Sequence, residues 1–551
     1  MIKENLVLYL ENSIKYNWTM PAFSDYKGDG LTYGEVAEKI AEFHILFEQL
    51  GIKQGDKISL IGKNSTNWVI IYLATITYGA VIVPILADFK PHDIQNIVNH
   101  SDSIVLFAGD QIIESINLSE MPNIRIVFSL TDFEVKQSVN KQNLIKNEER
   151  KALFNEKYPR GFLPQFFYLN AVSNESLAAI SYTSGTTGFT KGVMLAHNSL
   201  AANIRFAQNN MPLKSGDKIV SFLPLAHAYG CAFEFLFPFS LGCHVYFLTK
   251  TPSPQIIIQA FGEIKPRLIL SVPLIIEKIY KKQILPIISK PLMKGLLLIP
   301  GVQSIIYQKI KNKLNIIFGG NFHEIVIGGA AFNTEAEEFF KRIKFPFTVG
   351  YGMTECGPLI SYSPWDKTPI HSAGKLVDTL EVKIDSGDPY NEVGEIQVRG
   401  ENVMLGYYKN EVATQAAIDK DGWFRTGDLG ILDRNGNIYI KGRNKAMILG
   451  ASGQNIYPEE IESLLNNKFG IMESLIVEDN GLLKALIYPD VETLTAKKID
   501  EKMMEEIMKH HIKEINHLLP VYMNIAKYSI HNEEFEKTPK RSIKRFLYTA
   551  N

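Results

Sequence analysis

Over the first 180 residues, short apolar runs the length of strands alternate with longer stretches whose apolar residues recur at helical spacing. Tyr33 to Leu50 reads as a helix that stops at Gly51, Lys57–Ile61 as a strand, Trp68 to Tyr78 as an apolar helix, and Val81–Ile85 as a second buried strand. Apolar strands linked by helices need a crossover at every step, which dictates a parallel sheet with helices on both faces. The pattern returns at Lys218–Ser221, His244–Leu248, Leu268–Leu270 and Glu324–Ile327. An α/β fold with more than one sheet is therefore expected. At 551 residues the chain has room for about three to four compact units.

Composition narrows the function classes. Lys plus Arg number 58 and Asp plus Glu 59, a balance that argues against bulk nucleic-acid binding but leaves room for a local basic site. Cys231, Cys243 and Cys356 form no disulfide framework and no paired metal motif, so a reduced, cytoplasmic setting is the expectation. Met1–Met20 carries Glu4 and Glu11 and lacks a continuous apolar core, so no secretory leader is expected. No run reaches the roughly 18 apolar residues of a membrane span. Ile284 to Ile310 is unusually apolar with scattered lysines. Two readings apply to it, peripheral contact at the inner face of a membrane or a buried, tunnel-lining helical hairpin, and the second is preferred.

Between Leu376 and Ile440 the texture changes to period-two alternation, as in Leu380–Ile384 and Glu395–Arg399, which predicts half-exposed antiparallel strands. A further change follows Gly442-Arg443.

Four clusters carry chemistry. Tyr182-Thr183-Ser184-Gly185-Thr186-Thr187-Gly188-Phe189-Thr190-Lys191-Gly192 follows a strand and precedes a helix from about His197. Its glycines let backbone N–H groups close on an anion, its hydroxyls add donors and Lys191 adds charge, which describes a polyphosphate cradle. It is not the G-x-x-x-x-G-K-[ST] loop, because Gly192 follows Lys191. Gly350-Tyr351-Gly352-Met353-Thr354-Glu355 places an aromatic, a hydroxyl and a carboxylate on one loop, a set able to stack a base, bond a phosphate and hold Mg²⁺. In Gly422 to Gly430, Asp428 stands between glycines as an acceptor for two ribose hydroxyls or as a turn former. In Leu223-Pro224-Leu225-Ala226-His227-Ala228-Tyr229, His227 taken alone reads as a core histidine.

In this order and spacing the clusters resemble the adenylate-forming superfamily, most closely its long-chain acyl-CoA synthetases. Leu31-Thr32-Tyr33, Gly55-Asp56, Asn64, Trp68, Gly79-Ala80, Val272-Pro273, Glu277–Tyr280, Gly442–Lys445 and Ser452–Glu462 extend the likeness over nearly the whole chain. The resemblance implies a large N-terminal AMP-binding domain at 1–440 with two sheet-helix lobes and a β-subdomain at about 360–440. It further implies a hinge at 441–446 and a smaller, mobile α+β lid at 447–551. It implies ATP, Mg²⁺ and coenzyme A, and activation of a fatty acid to an acyl-adenylate before thioester formation. Ser184 to Lys191, with Thr183, would hold the phosphates. Gly328-Gly329-Ala330, Tyr351 and Gly352 would enclose adenine, Thr354 would meet the α-phosphate, Glu355 would bind the metal, and Asp428 and Arg443 would hold ribose. His227 would sit where carboxylate and thiol meet, Tyr229 would gate the acyl tunnel, Lys445 would mark the hinge and Gly453 the pantetheine channel.

Two departures stand out. Thr190 replaces a usual proline, and Ser542 stands where the family has the lysine of adenylation, with Lys540 and Lys544 flanking it as substitutes, Lys540 preferred. A carrier protein as the acceptor, or an adenylation-impaired homologue that only binds its ligands, are the alternatives. Phe233 to Leu241 is a second candidate for tunnel lining.

Overall fold

The computed structural model describes residues 4–138, 147–184, 190–249, 253–449, 454–538 and 543–548. Its largest sheet has eight strands, in the order Gly406–Tyr407, Thr190–Ala196, Leu177–Ser184, Val81–Ile85, Lys57–Ile61, Ser103–Ala108, Ile126–Ser129 and Val135–Ser138. The five from Leu177–Ser184 to Ile126–Ser129 run parallel. Both faces are covered, and the pleat divides the side chains between them. Ile58, Leu60 and Ile82 enter one apolar cluster, and Ile61, Val81, Val83 and Ile85 enter the other. The helix Thr66–Tyr78 is apolar almost all round because it is buried almost all round, and it ends at Gly79 with φ of 87°.

A second sheet orders Lys218–Ser221, His244–Phe247, Pro21–Asp25 and Gly30–Thr32. It is extended through a single bond, Arg267 N–H to Lys218 O at 2.9 Å, toward the parallel strands Leu268–Ser271, Glu324–Ile327 and Phe347–Val349. One continuous core lies between the two large sheets. Phe239 anchors it, stacking on Phe23 and Tyr33 with ring centroids 4.8 Å apart in each pair. Each such fully buried ring contributes roughly 1.5–3 kcal/mol relative to exposure. The segment Phe233 to Leu241 is thus packed core and not the wall of a channel.

The alternating segment folds as an antiparallel sheet, Leu380–Asp385, Gly394–Gly400, Phe424–Leu432 and Ile438–Arg443. Beyond it, Ile471–Asp479, Leu482–Pro489 and Ile525–Ile530 close a small α+β unit over the helices Pro458–Asn466 and Glu501–Leu518, with a core of its own. The chain is α/β with a large N-terminal and a smaller C-terminal domain. The small unit touches the large one where Lys281 donates to Asn466 O at 2.6 Å and Asn333 bonds Asn467.

The expectation of a buried hairpin at Ile284 to Ile310 holds for one side only: Ile284 is buried, and Leu285, Ile288, Tyr307 and Ile310 pack against the core. Those residues form short helices, Leu285–Ile288, Pro291–Leu296 and the start of Val302–Ile317, whose other side lies in solvent, as at Leu292, Leu298 and Ile305. In the helix Val302–Ile317 only Leu314 is fully buried.

Candidate functional site

The parallel strands of the large sheet point their carboxyl ends toward the edge where Ser184 leads into the Gly-rich loop. Outside the carboxyl ends of such strands is where α/β sheets place ligands. Thr183 is paired with Lys191 across the hairpin formed by Leu177–Ser184 and Thr190–Ala196. The loop therefore returns as a strand before reaching the helix His197–Asn210. Gly185, Thr186, Thr187, Gly188, Gly453 and Lys540 lie outside the described residues.

Three sequence clusters meet around Asp428. The register of Phe424–Leu432 against Ile438–Arg443 sets Asp428 opposite Arg443. Asp428 Oδ1 lies 2.9 Å from Arg443 Nε, and Tyr351 Oη donates to Oδ2 at 2.7 Å. Asp428 is 3% exposed, and burial raises its pKa although Arg443 and Tyr351 oppose the shift. Both carboxylate oxygens are thus engaged within the protein, by Arg443 and by Tyr351. Each oxygen keeps a second lone pair for a ligand hydroxyl. The Tyr351 ring is 7% exposed, so a stacked base would meet only a small part of it. Burial, then the Asp428 charge, holds its hydroxyl well above the ordinary phenol range.

The other half of the loop joins Lys191 through a residue the sequence reading missed. Tyr407 Oη donates to Glu355 Oε1 at 3.0 Å, and Lys191 Nζ sits 4.6 Å over the Tyr407 ring. Tyr407 arrives on a two-residue strand paired to Val193, a long-range match that local pattern does not reveal. Gly352 serves the backbone more than a ligand, since a Cβ there would stand 2.2 Å from Pro358 O. Thr354 is buried beside Glu355. Among the described residues no group of three or more His, Cys, Asp or Glu is arranged to hold a metal. Glu355, whose Oε1 accepts from Tyr407, fits Mg²⁺, which takes one or two carboxylates and completes its shell with phosphate and water.

His227 is held by its loop. Asn64 Nδ2 donates to Leu223 O at 2.7 Å, Leu225 N–H donates to Asn64 Oδ1 at 3.0 Å, and Glu234 Oε2 accepts from Ser221 Oγ and from the N–H groups of Phe222 and Leu223. Tyr229 Oη donates to Val326 O at 3.0 Å, and its ring packs on Gly328, where a Cβ would lie 3.2 Å away. Gly329, with φ of 91°, and Ala330 are exposed beyond it. Beneath the histidine loop is a cavity of about 10 Å³ lined by Tyr72, Leu200, Ala226, Ala228 and Cys231, the size of one water and not of an acyl chain.

Lys445 lies exposed in the turn Asn444–Ala446. In the C-terminal run Lys537 pairs with Glu473 at 2.8 Å, and Lys544 pairs with Glu536 at 2.6 Å. Lys544 is therefore engaged within its own unit. The charge of Lys90, just beyond strand Val81–Ile85, contributes to lowering the Glu536 pKa, behind the larger effect of Lys544.

The sequence profile described as AMP-binding enzyme matches residues 10–408. A peroxisomal long-chain acyl-CoA synthetase of Arabidopsis thaliana is 29% identical, over 88% of this chain and 71% of that protein. A chloroplastic long-chain-fatty-acid–acyl-carrier-protein ligase of the same plant is 27% identical, over 87% and 75%. The crystal structure of ATP-bound MatB from Rhodopseudomonas palustris superposes with a TM-score of 0.77 at 20% identity, over 98% of this chain and 97% of that one, a likeness of fold.

Proposed function

Because the chain belongs to the AMP-binding enzyme family, we propose that it activates a fatty acid, of long chain, with ATP and passes the acyl group to coenzyme A. The carboxylate oxygen forms a bond to the α-phosphorus as the bond to the β-phosphate oxygen breaks, giving acyl-adenylate and pyrophosphate. The thiol sulfur then bonds to the acyl carbon, AMP leaves, and the thiol proton goes to a base or solvent.

The observation that carries this reading is the convergence of four chain segments on one loop. Tyr351 ties it to Asp428 and Arg443, and Glu355 ties it through Tyr407 to Lys191. The first step brings an anion onto a polyanion, so its barrier is lowered by fixed positive charge and donors in a partly dry site. Lys191 and Arg443 supply that charge, Thr354 contacts the α-phosphate, and Asp428 accepts from ribose. Gly328-Gly329-Ala330 and Tyr351 border the base. Glu355 would hold Mg²⁺, which neutralises phosphate charge when bound. His227 stands between acid and thiol, with Tyr229 at the mouth of the acyl site. The relatives named for long-chain acids support the fatty substrate.

Lys445 in the hinge at 441–446 would let the unit at 447–551 turn between half-reactions. Lys540 replaces the lysine lost at Ser542, and the Lys544–Glu536 pair favours it over Lys544.

Pyrophosphate release is measured with ATP, Mg²⁺ and acids of increasing length, followed by coenzyme A or acyl carrier protein. Release that rises toward long chains, and thioester on coenzyme A, are expected. A preference for short or aryl acids overturns the chain-length reading. Transfer to the carrier alone makes the chain a carrier-protein ligase, the activity named for one relative. ATP binding without release from any acid makes it a binding protein.

A further inference from the structure

We propose that the helical segment between Glu277 and Glu324 is a docking surface for an anionic lipid membrane. The interval holds eight lysines and not one Asp or Glu, in a chain whose formal net charge is −1. Such a bias does not come from composition; it is placed.

The structure adds what the sequence lacks. The segment is a surface layer in which large apolar side chains stand in solvent, Leu292 at 78% exposure, Leu298 at 84%, Ile305 at 59% and Ile316 at 75%. In the helix Val302–Ile317 the exposed positions include Ile305, Lys309, Lys313 and Ile316, a spacing that sets isoleucine and lysine on one stripe. Leu292, inside the short helix Pro291–Leu296, and Leu298, just after it, are exposed, as are Lys290 and Lys294. Among the described residues no carboxylate forms an ion pair with Lys290, Lys294, Lys309, Lys311 or Lys313. Lys281 and Lys282, by contrast, face the C-terminal unit through Asn466 and Glu492.

Apolar side chains interleaved with unpaired lysines match the interface of a bilayer. Leucine and isoleucine sink below the headgroups, and the lysine stems follow while their ammonium groups stay with lipid phosphates. A second copy of the chain fits poorly, since the same face would meet its own positive charge. A nucleic acid would leave the exposed leucines unsatisfied, because the segment offers few aromatic rings for bases. No described helix is long and apolar enough to cross a membrane, so the contact is interfacial. The proposal does not depend on the catalytic reading, and its test needs no turnover.

The full chain is sedimented with vesicles of phosphatidylcholine alone and of phosphatidylcholine with phosphatidylglycerol. Binding is expected to the anionic vesicles and to fall with salt. Two surface variants probe the two components, a quadruple Lys290, Lys294, Lys309 and Lys313→Glu and a double Leu292 and Leu298→Ser. Each is expected to lower partitioning by about tenfold or more. Both should keep the wild-type melting curve and pyrophosphate release with a water-soluble acid. Vesicle binding that neither variant changes overturns the proposal, as does no binding to phosphatidylglycerol vesicles. Lysine-dependent binding to an acidic carrier protein without vesicle binding assigns the surface to a protein partner and overturns it equally.

Discussion

Asn64 and Glu234 hold the histidine loop from opposite sides. Neither touches a reacting atom in the proposed chemistry, so both are positioning residues. Glu234 is fully buried and accepts three hydrogen bonds on Oε2, while Oε1 has no partner. Burial raises its pKa well above the carboxylate range despite those bonds, which means the neutral form is favoured. Glu234→Gln, which keeps the acceptor and carries no charge, is expected to cost about 1 kcal/mol or less. Glu234→Leu leaves two buried N–H groups unpaired and should cost about 2–5 kcal/mol, measured by urea unfolding. Equal losses in the two variants would show that charge matters here. The same logic applies to Asp428 with a functional readout. Its raised pKa means it takes up a proton at higher pH than an ordinary carboxyl. Nucleotide affinity should therefore weaken as pH falls through that raised value, and Asp428→Asn should lose the step in a calorimetric titration against pH. The charge burial has the opposite sign for folding: its stabilising share is complete below the unfolded-state pKa and is lost as pH rises through the folded value. Asp428, Tyr351 and Arg443 were legible because each sits in a short stretch of unusual composition. Tyr407 was not, because its neighbours in space come from residues about 50 and 200 positions away.

The hairpin of Leu177–Ser184 and Thr190–Ala196 shows how an element transmits geometry to the site. A Cβ on Gly192 would stand 2.9 Å from Ile180 Cγ2 and 3.1 Å from the Tyr182 ring. Gly192 O also accepts from Tyr408 N–H at 2.7 Å, next to the pairing that delivers Tyr407. Gly192→Ala is expected to cost about 1–3 kcal/mol by overpacking. It should also weaken ATP binding by moving Tyr407 relative to Lys191. A loss of stability with unchanged ATP affinity would separate the hairpin from the site. Periodicity found the parallel strands because their both-face burial is written in consecutive apolar residues. It did not find Thr190–Ala196, which continues a Gly-rich motif and owes its strand to the pairing partner alone. Composition also failed between two apolar segments. Phe233 to Leu241 is core, whereas Ile284 to Ile310 buries one side and leaves Leu292, Leu298 and Ile305 in solvent, because burial depends on what the fold places beside each side chain. The absence of acidic residues around the second segment was the readable difference.

The contact between the large and small units bears on the order of the two half-reactions. The small unit rests on the large domain through Lys281 to Asn466 O and Asn333 to Asn467. Glu536, next to Lys537, which bridges Ile543, feels the charge of Lys90, beyond the carboxyl end of Val81–Ile85. That edge is also where the strand leading into the phosphate loop ends, so this orientation suits the proposed adenylation step. If the small unit turns afterwards, these contacts exist in one orientation and are lost in the other. A contact made in only one of two states biases the equilibrium by its own free energy. Lys281→Ala removes a donor to a backbone carbonyl and a charge that burial already disfavours, as its lowered pKa shows. A net loss of about 1 kcal/mol from this orientation predicts slower pyrophosphate release by about five-fold. The thioester step, started from preformed acyl-adenylate and coenzyme A, should be unchanged or faster, since the competing orientation gains population. Asn467→Ala should act in the same direction. Equal slowing of both half-reactions would mean that the contact only supports the fold, and an unaltered first step would place the adenylating orientation elsewhere.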